Sequence, residues 1–162
     1  MLANFARKYA ENLTANRFRQ GMNLWLPFVG SGIKIEHIAE DHREVTVAMR
    51  QRWYNTNYVG VHFGGSLYAM VDPFLMLMFM KNLGRDYIVW DKYAKIEFKK
   101  PGKGKVTATF RIEQQDIDEI VTATQNGEKY VFERVIEIKN PDGEICAEVT
   151  KGIYTRKKTK RS

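Results

Sequence analysis

The sequence is poor in the residues that usually announce chemistry. Its 162 residues include one cysteine, Cys146, so there is no disulfide framework and no CxxC metal or redox pair, which fits a reducing, cytoplasmic setting. Histidines number three, at 37, 42 and 62, and none shares a helix face with acids at metal-ligand spacing. No metal and no cofactor is expected. The three serines are Ser31, Ser66 and Ser162, and the chain lacks G-x-S-x-G, a P-loop, G-x-G-x-x-G after a strand, and HExxH. Long apolar runs are also missing. The longest is Phe74 to Met80, far short of the roughly 18 residues of a membrane span. Arg7, Lys8 and Glu11 interrupt the first residues before any secretory apolar block forms, so a soluble protein with no membrane partner is expected.

What is present fits one domain. The composition is 44% apolar, too hydrophobic for a disordered chain. The net charge of +7 resembles a nucleic-acid signal until it is located. Residues 151–162 carry Lys151, Arg156, Lys157, Lys158, Lys160 and Arg161 and no acid, leaving 1–150 almost neutral. The charge therefore reads as a solvated C-terminal tail, and no nucleic-acid partner is expected. Within the body, Lys92, Lys95, Lys99, Lys100, Lys103 and Lys105 face only Glu97 along the sequence. Such a cluster suits ordinary strand-end charges or the phosphates of a small molecule.

Phe5, Tyr9, Leu13, Phe18 and Met22 lie near helical spacing and predict a helix over residues 4–25, ended by Pro27, Gly30 and Gly32. Residues 33–38 and 45–49 alternate as half-buried strands. Residues 66–82 leave almost no polar face and predict a helix enclosed by the rest of the protein, closed by Gly84. Four period-2 segments follow, at 87–98, 106–115, 130–139 and 144–154, with a short helical turn at 116–122. Runs of consecutive strands favour an antiparallel α+β arrangement. A six-stranded sheet curled around the apolar helix accounts for that helix. The domain is set at 1–156 with residues 1–27 as an N-terminal extension, and 157–162 as a disordered basic tail. A partly apolar outer sheet face points to a homo-oligomer, dimer or tetramer.

Asp72 is the only residue charged at neutral pH between Gly65 and Met80. A buried carboxylate needs a partner or a raised pKa, which makes it a candidate base or nucleophile. Because Pro73 follows, Asp72 equally suits a helix N-cap. Gly64 and Gly65 precede the apolar helix, either as a plain tight turn or as bare backbone whose N–H groups meet an anion or a carbonyl. Ser66, four residues after His62, reads more simply as a first-turn residue than as a nucleophile. Cys146 and the methionines of the apolar helix read as core packing.

Asn57, Gly64-Gly65 and Asp72, with six residues in each interval, resemble the signature of hotdog-fold acyl-CoA thioesterases of the phenylacetate-degradation type. The stretch Ala94 to Gly104, AKIEFKKPGKG, is similar to the strand and basic-Pro-x-x-Gly turn that follow the central helix in that family. The resemblance covers about Gly32 to Tyr154 and implies a curved antiparallel sheet wrapping a central helix. It also implies backbone N–H of Gly64 or Gly65 polarising a thioester carbonyl, Asp72 as general base or nucleophile, and Asn57 orienting carbonyl or water. His62 and Ser66 would border the substrate, with Lys99, Lys100 and Lys103 near coenzyme A phosphates. Two departures stand out: Phe63 holds the place of the family's His, and Pro73 follows the Asp. If residues 65–72 were one helix, Gly65 and Asp72 would be about 10.5 Å apart, so both could act only across a dimer interface. The expected function is hydrolysis of an acyl-CoA or acyl-carrier thioester. The alternatives are a non-catalytic acyl-CoA-binding protein and, third, a hotdog dehydratase, which the displaced His62 disfavours.

Overall fold

The computed structural model describes residues 13–159. Five helices and six strands follow in the order α1 (Ala15–Asn23), α2 (Leu26–Ser31), β1 (Ile33–Ile38), β2 (Glu44–Arg50), α3 (Gly64–Ala69), α4 (Phe74–Leu83), β3 (Tyr87–Phe98), β4 (Lys105–Arg111), α5 (Gln114–Ala123), β5 (Lys129–Lys139) and β6 (Ile145–Lys157). The strands form one antiparallel sheet in the order β1-β2-β4-β5-β6-β3. This is the α+β hotdog arrangement that the resemblance implies.

The inward residues of each strand close over α4. Val45, Val47 and Met49 of β2, Val106, Ala108 and Phe110 of β4, and Val149 and Ile153 of β6 are all buried. Phe74 stacks between Phe28 and Phe110 (ring centroids 5.7 and 5.2 Å), and Phe79 meets Phe132 edge-on at 4.8 Å. Aromatic pairs at such separations add to the area they bury.

The apolar run predicts a helix over 66–82, with a start at Pro73 behind an Asp72 cap as the alternative, and the structure splits the run in two. α3 ends at Ala69, a turn covers Met70–Pro73, and α4 begins at Phe74. Pro73 has no N–H to continue the ladder, and the residue before a proline is disfavoured in the helical region. Asp72 therefore sits in a turn, not inside a helix. Nor does it cap α4, whose N-cap position is Pro73 with no side-chain cap bond.

The N-terminal helix differs in the same way. Its described part ends at Asn23, and Pro27 lies in the first turn of α2, where its missing N–H costs nothing. Phe5 and Tyr9 lie outside the described residues. Asn23 ties α1 to the sheet edge, donating from Nδ2 to Ile35 O (3.0 Å) and accepting from Ile35 N–H at Oδ1 (2.7 Å). The turn expected at 116–122 is a full helix, α5, opened by a reciprocal capping pair between Glu113 and Asp116. At the other end β6 runs through Lys157, which pairs with Tyr87, and Lys158 N–H donates to Asp86 O. Residues 160–162 of the expected tail lie outside the described residues.

Phe79 is fully buried where α4 meets β5. Phe79→Ala is expected to lower unfolding free energy by about 3–5 kcal/mol, read from urea unfolding, whereas a loss under about 1 kcal/mol would show that α4 does not organise this core.

Candidate functional site

Asp72 is held from two sides. One helical turn earlier, Tyr68 of α3 donates from its hydroxyl to Asp72 Oδ1 at 2.8 Å. From the sheet, Lys151 donates from Nζ to the Asp72 carbonyl oxygen at 2.7 Å and to Oδ1 at 3.1 Å. The same ammonium lies 2.6 Å from Asp91 on β3 and 5.7 Å from the centre of the Tyr68 ring. Its side chain is 0% exposed, against 48% for Asp72 and 28% for Asp91. An ammonium in such a place costs several kcal/mol unless charge and hydrogen bonds surround it. Two carboxylates, a carbonyl and a π-face supply that surround.

These surroundings shift Tyr68 and Asp91. Burial, and then the hydrogen bond to Asp72, push the Tyr68 hydroxyl up to about 12, so it remains a donor. Burial raises Asp91 above its usual value despite the opposing pull of Lys151. Among the described residues, both hydrogen bonds to the Asp72 carboxylate fall on Oδ1. The carboxylate expected to be buried is thus half exposed, with one oxygen anchored and the other left for water or ligand.

The β-strand geometry explains how these residues meet. In β6 the inward stripe is Ala147, Val149, Lys151, Ile153 and Thr155, all buried. In β3 the inward stripe Tyr87, Val89, Asp91 changes parity at a bulge between Asp91 and Tyr93 and resumes at Ala94 and Ile96. The bulge breaks the register just where the carboxylate meets Lys151.

The other residues singled out in the sequence are placed differently. Asn57 accepts from the N–H groups of Val59 and Val61 (both 3.1 Å) and donates to His62 O (3.4 Å), so it organises its own loop. His62 is 2% exposed. Its backbone N–H donates to Gly102 O, and its Nε2 lies 3.0 Å from Gly104 O. A carbonyl only accepts, so Nε2 carries the proton and the buried Nδ1 has no partner. His62 therefore locks the 57–62 loop onto the Pro101–Gly104 turn.

Gly64 and Gly65 open α3, whose first bonded N–H groups are those of Ser66 and Leu67, both to Phe63 O. A Cβ on Gly64 would come within 2.9 Å of the Phe98 ring, and one on Gly65 within 2.4 Å of the Phe63 ring. The glycines let two half-exposed rings lie against the start of the helix. Ser66 is buried just behind them.

The lysine cluster is less bare than its sequence. Lys99 pairs with Glu97 (2.7 Å) and Glu148 (3.0 Å), Lys100 pairs with Glu144, and Lys105 pairs with Glu36 (2.8 Å). Strand pairing supplies acids that are distant in sequence. Lys103 borders a cleft of about 420 Å³ beside Pro101, Asn140 and Pro141.

Sequence reasoning missed Tyr68, Asp91 and above all Lys151, which was counted with the basic tail. The signal for Lys151 was available: a lysine at an inward position of an otherwise apolar period-2 strand. Asp91 carried the same signal after Tyr87 and Val89. Among the described residues there is no cluster of three or more His, Cys, Asp or Glu able to hold a metal ion. No helix among them is long and apolar enough to cross a membrane.

A family model described as a domain of unknown function, DUF4442, matches residues 14–155. No curated protein matches the chain. Among solved structures, one from Pseudomonas aeruginosa, described as a protein of unknown function and probable thioesterase, is similar at 20% identity and TM-score 0.80. That match covers 90% of this chain and 97% of the other. A Haemophilus influenzae thioesterase is similar at 17% identity and TM-score 0.64, covering 90% and 92%. A Chlorobaculum tepidum protein of unknown function is similar at 15% identity and TM-score 0.70, covering 90% and 98%. At these identities the likeness is one of fold, and the fold is that of the hotdog thioesterases.

The burial of His62 has a consequence for acid stability. Desolvation lowers its pKa below 6.5, against a smaller upward pull from Gly104 O. As pH falls below 6.5, the unfolded chain takes up a proton that the folded form resists, so stability declines until the lower folded value is reached. His42 is lowered as well. His62→Gln, which keeps a donor for Gly104 O, should therefore reduce but not abolish the fall in Tm on acidification below pH 6.5. An unchanged Tm–pH curve in the variant would refute this assignment.

Proposed function

This chain belongs to the DUF4442 family, and we propose that it is a thioester hydrolase acting on an acyl-CoA or acyl-carrier thioester, with Asp72 as general base. The observation that supports this best is the asymmetry of the Asp72 carboxylate. Tyr68 and Lys151 anchor Oδ1, while the side chain stays half exposed. A base needs a fixed orientation and one oxygen within reach of the proton it takes.

In the proposed step the free oxygen of Asp72 removes a proton from water, and the water oxygen attacks the thioester carbonyl carbon. Negative charge gathers on the carbonyl oxygen, and backbone N–H groups at Gly64 and Gly65 donate to it. Collapse breaks the C–S bond, and the proton held by Asp72 goes to the departing thiolate. The products are a carboxylic acid and a free thiol, and no metal or cofactor takes part.

In one subunit α3 carries the chain away from those amides by about 1.5 Å per residue. The proposal therefore includes a homodimer or higher oligomer, with Asp72 of one subunit facing the α3 start of its partner. The half-exposed Phe63 and Phe98 rings flank that start. Lys103 at its cleft remains a substrate-side residue of the proposal, whereas acids already partner Lys99 and Lys100.

One observation favours a second reading. Asn57 spends all three of its side-chain hydrogen bonds within its own loop, where the family pattern would have it orient substrate or water. A non-catalytic acyl-CoA-binding protein fits that arrangement.

Thiol release from short, long and aromatic acyl-CoAs distinguishes the two. Asp72→Asn keeps the side-chain oxygen for Tyr68 and Lys151, and should lower kcat by about 100-fold or more with its fold retained. Lys151→Met leaves two carboxylates without their cation and should lose activity and roughly 3 kcal/mol of stability, the low end for a broken buried pair because both acids are partly solvated. Turnover within about twofold of wild type in Asp72→Asn would reject the mechanism. Acyl-CoA binding with no thiol release from the wild type would establish the second reading.

A further inference from the structure

Lys99, Lys100 and Lys105 are matched by acids, whereas three basic side chains gathered at the β1–β2 end of the sheet are not. Lys34 of β1, Arg50 at the end of β2 and Arg52 in the following turn line a concavity of about 240 Å³ with Gly32, Glu36, Ala48 and Tyr54. None of the three basic side chains makes a salt bridge or side-chain hydrogen bond among the described residues. The one acid in the lining is already taken, since Lys105 Nζ lies 2.8 and 2.9 Å from the two carboxylate oxygens of Glu36. Ala48, an outward position between the inward Val47 and Met49, is only 3% exposed and forms the floor.

The frame beneath these charges is rigid. Asn55 is 4% exposed, and its Nδ2 donates to Ser31 O (3.0 Å) and Arg50 O (2.9 Å). Its Oδ1 accepts from Arg52 N–H at 2.7 Å. One buried amide therefore ties together the end of α2, the end of β2 and the turn that carries Arg52. Gly32 is a glycine for the same reason. Its φ is +73°, and a Cβ would lie 2.8 Å from Asn55 Nδ2 and 3.3 Å from the Tyr54 hydroxyl oxygen.

We propose that Lys34, Arg50 and Arg52 form a binding site for a phosphate-bearing ligand. Guanidinium groups present planar paired donors suited to phosphate oxygens, and a lysine adds a point charge. With three cations uncompensated and Glu36 engaged by Lys105, the concavity lacks only a multiply charged anion. Fixed main-chain positions reduce the ordering cost that weakens binding by long side chains. The site does not depend on the chemistry at Asp72.

Calorimetric titration of the full chain with inorganic pyrophosphate tests it, with citrate as a phosphate-free anion and adenosine 3′,5′-bisphosphate as a nucleotide-borne one. Saturable binding of pyrophosphate or the bisphosphate is expected, with preference over citrate and weakening as salt rises. The tighter of the two phosphates tells whether free or nucleotide-borne phosphate is the match. Arg50→Gln with Arg52→Gln should weaken binding by at least about tenfold, and Lys34→Gln alone should weaken it less. Removing charge at Lys92 and Lys129 should leave binding unchanged, and thermal unfolding shows that each variant is folded. No binding by the wild type, equal binding of citrate, or equal loss in the Lys92/Lys129 variant would each overturn the proposal.

Discussion

The Lys151 ammonium, inside the sheet with no exposed surface, is the constraint on which the site depends. An apolar side chain would fill the same place without the cost of desolvating a charge. Replacement of buried ion pairs by packed hydrophobic groups is often neutral or stabilising. Such a side chain would, however, leave the Asp72 carbonyl without its donor, Oδ1 with Tyr68 alone, and Asp91 without its counter-charge. What Lys151 contributes is position: it joins the turn between α3 and α4 to β6 and to the bulge of β3 at one atom.

Pro73 and Lys151 act on the same few residues. The proline ends the helical ladder and turns the chain at Met70–Pro73, which takes Asp72 out of the apolar helix. The ammonium then holds the released turn through its main-chain carbonyl. Without the break, a carboxylate inside a wholly apolar helix would be buried and its charged form disfavoured. With it, the carboxylate is anchored at one oxygen and half exposed.

The architecture was legible because it rests on periodicity. The alternating strands at 33–38, 45–49 and 87–98 and the apolar stretch after Gly65 each appear near where their patterns place them. Pattern could not reveal the join between α3 and α4, because Met70 and Val71 are as apolar as a continuing helix. Nor does adjacency in sequence show which charges meet. Glu148 and Glu144 reach Lys99 and Lys100 only through the pairing of β3, β5 and β6. Lys151 fell in with the tail because charge was summed along the chain, whereas burial inside the sheet separates it from the exposed Lys157 and Lys158. Asn57 and Gly64-Gly65 were noticed for their spacing, and their contacts show that such spacing also serves loop order and ring packing.

The same lesson separates the basic residues by the work their surroundings do. Net charge along the sequence drew attention to Lys92–Lys105, yet a sheet can neutralise a strand by placing acids on its neighbours. Glu148 of β6 and Glu144 just before it meet Lys99 and Lys100, Glu36 reaches across from β1 to Lys105, and Glu97 serves Lys99 from β3 itself. At Lys34, Arg50 and Arg52 the one lining acid is turned to Lys105 instead. Surface pairs contribute little to stability, about 0–1 kcal/mol each, so leaving three cations unmatched costs the fold little. Placing a buried asparagine and a left-handed glycine beneath them is a stronger commitment. The frame holds unmatched charge in a fixed arrangement, and that separates a site from a solvated face.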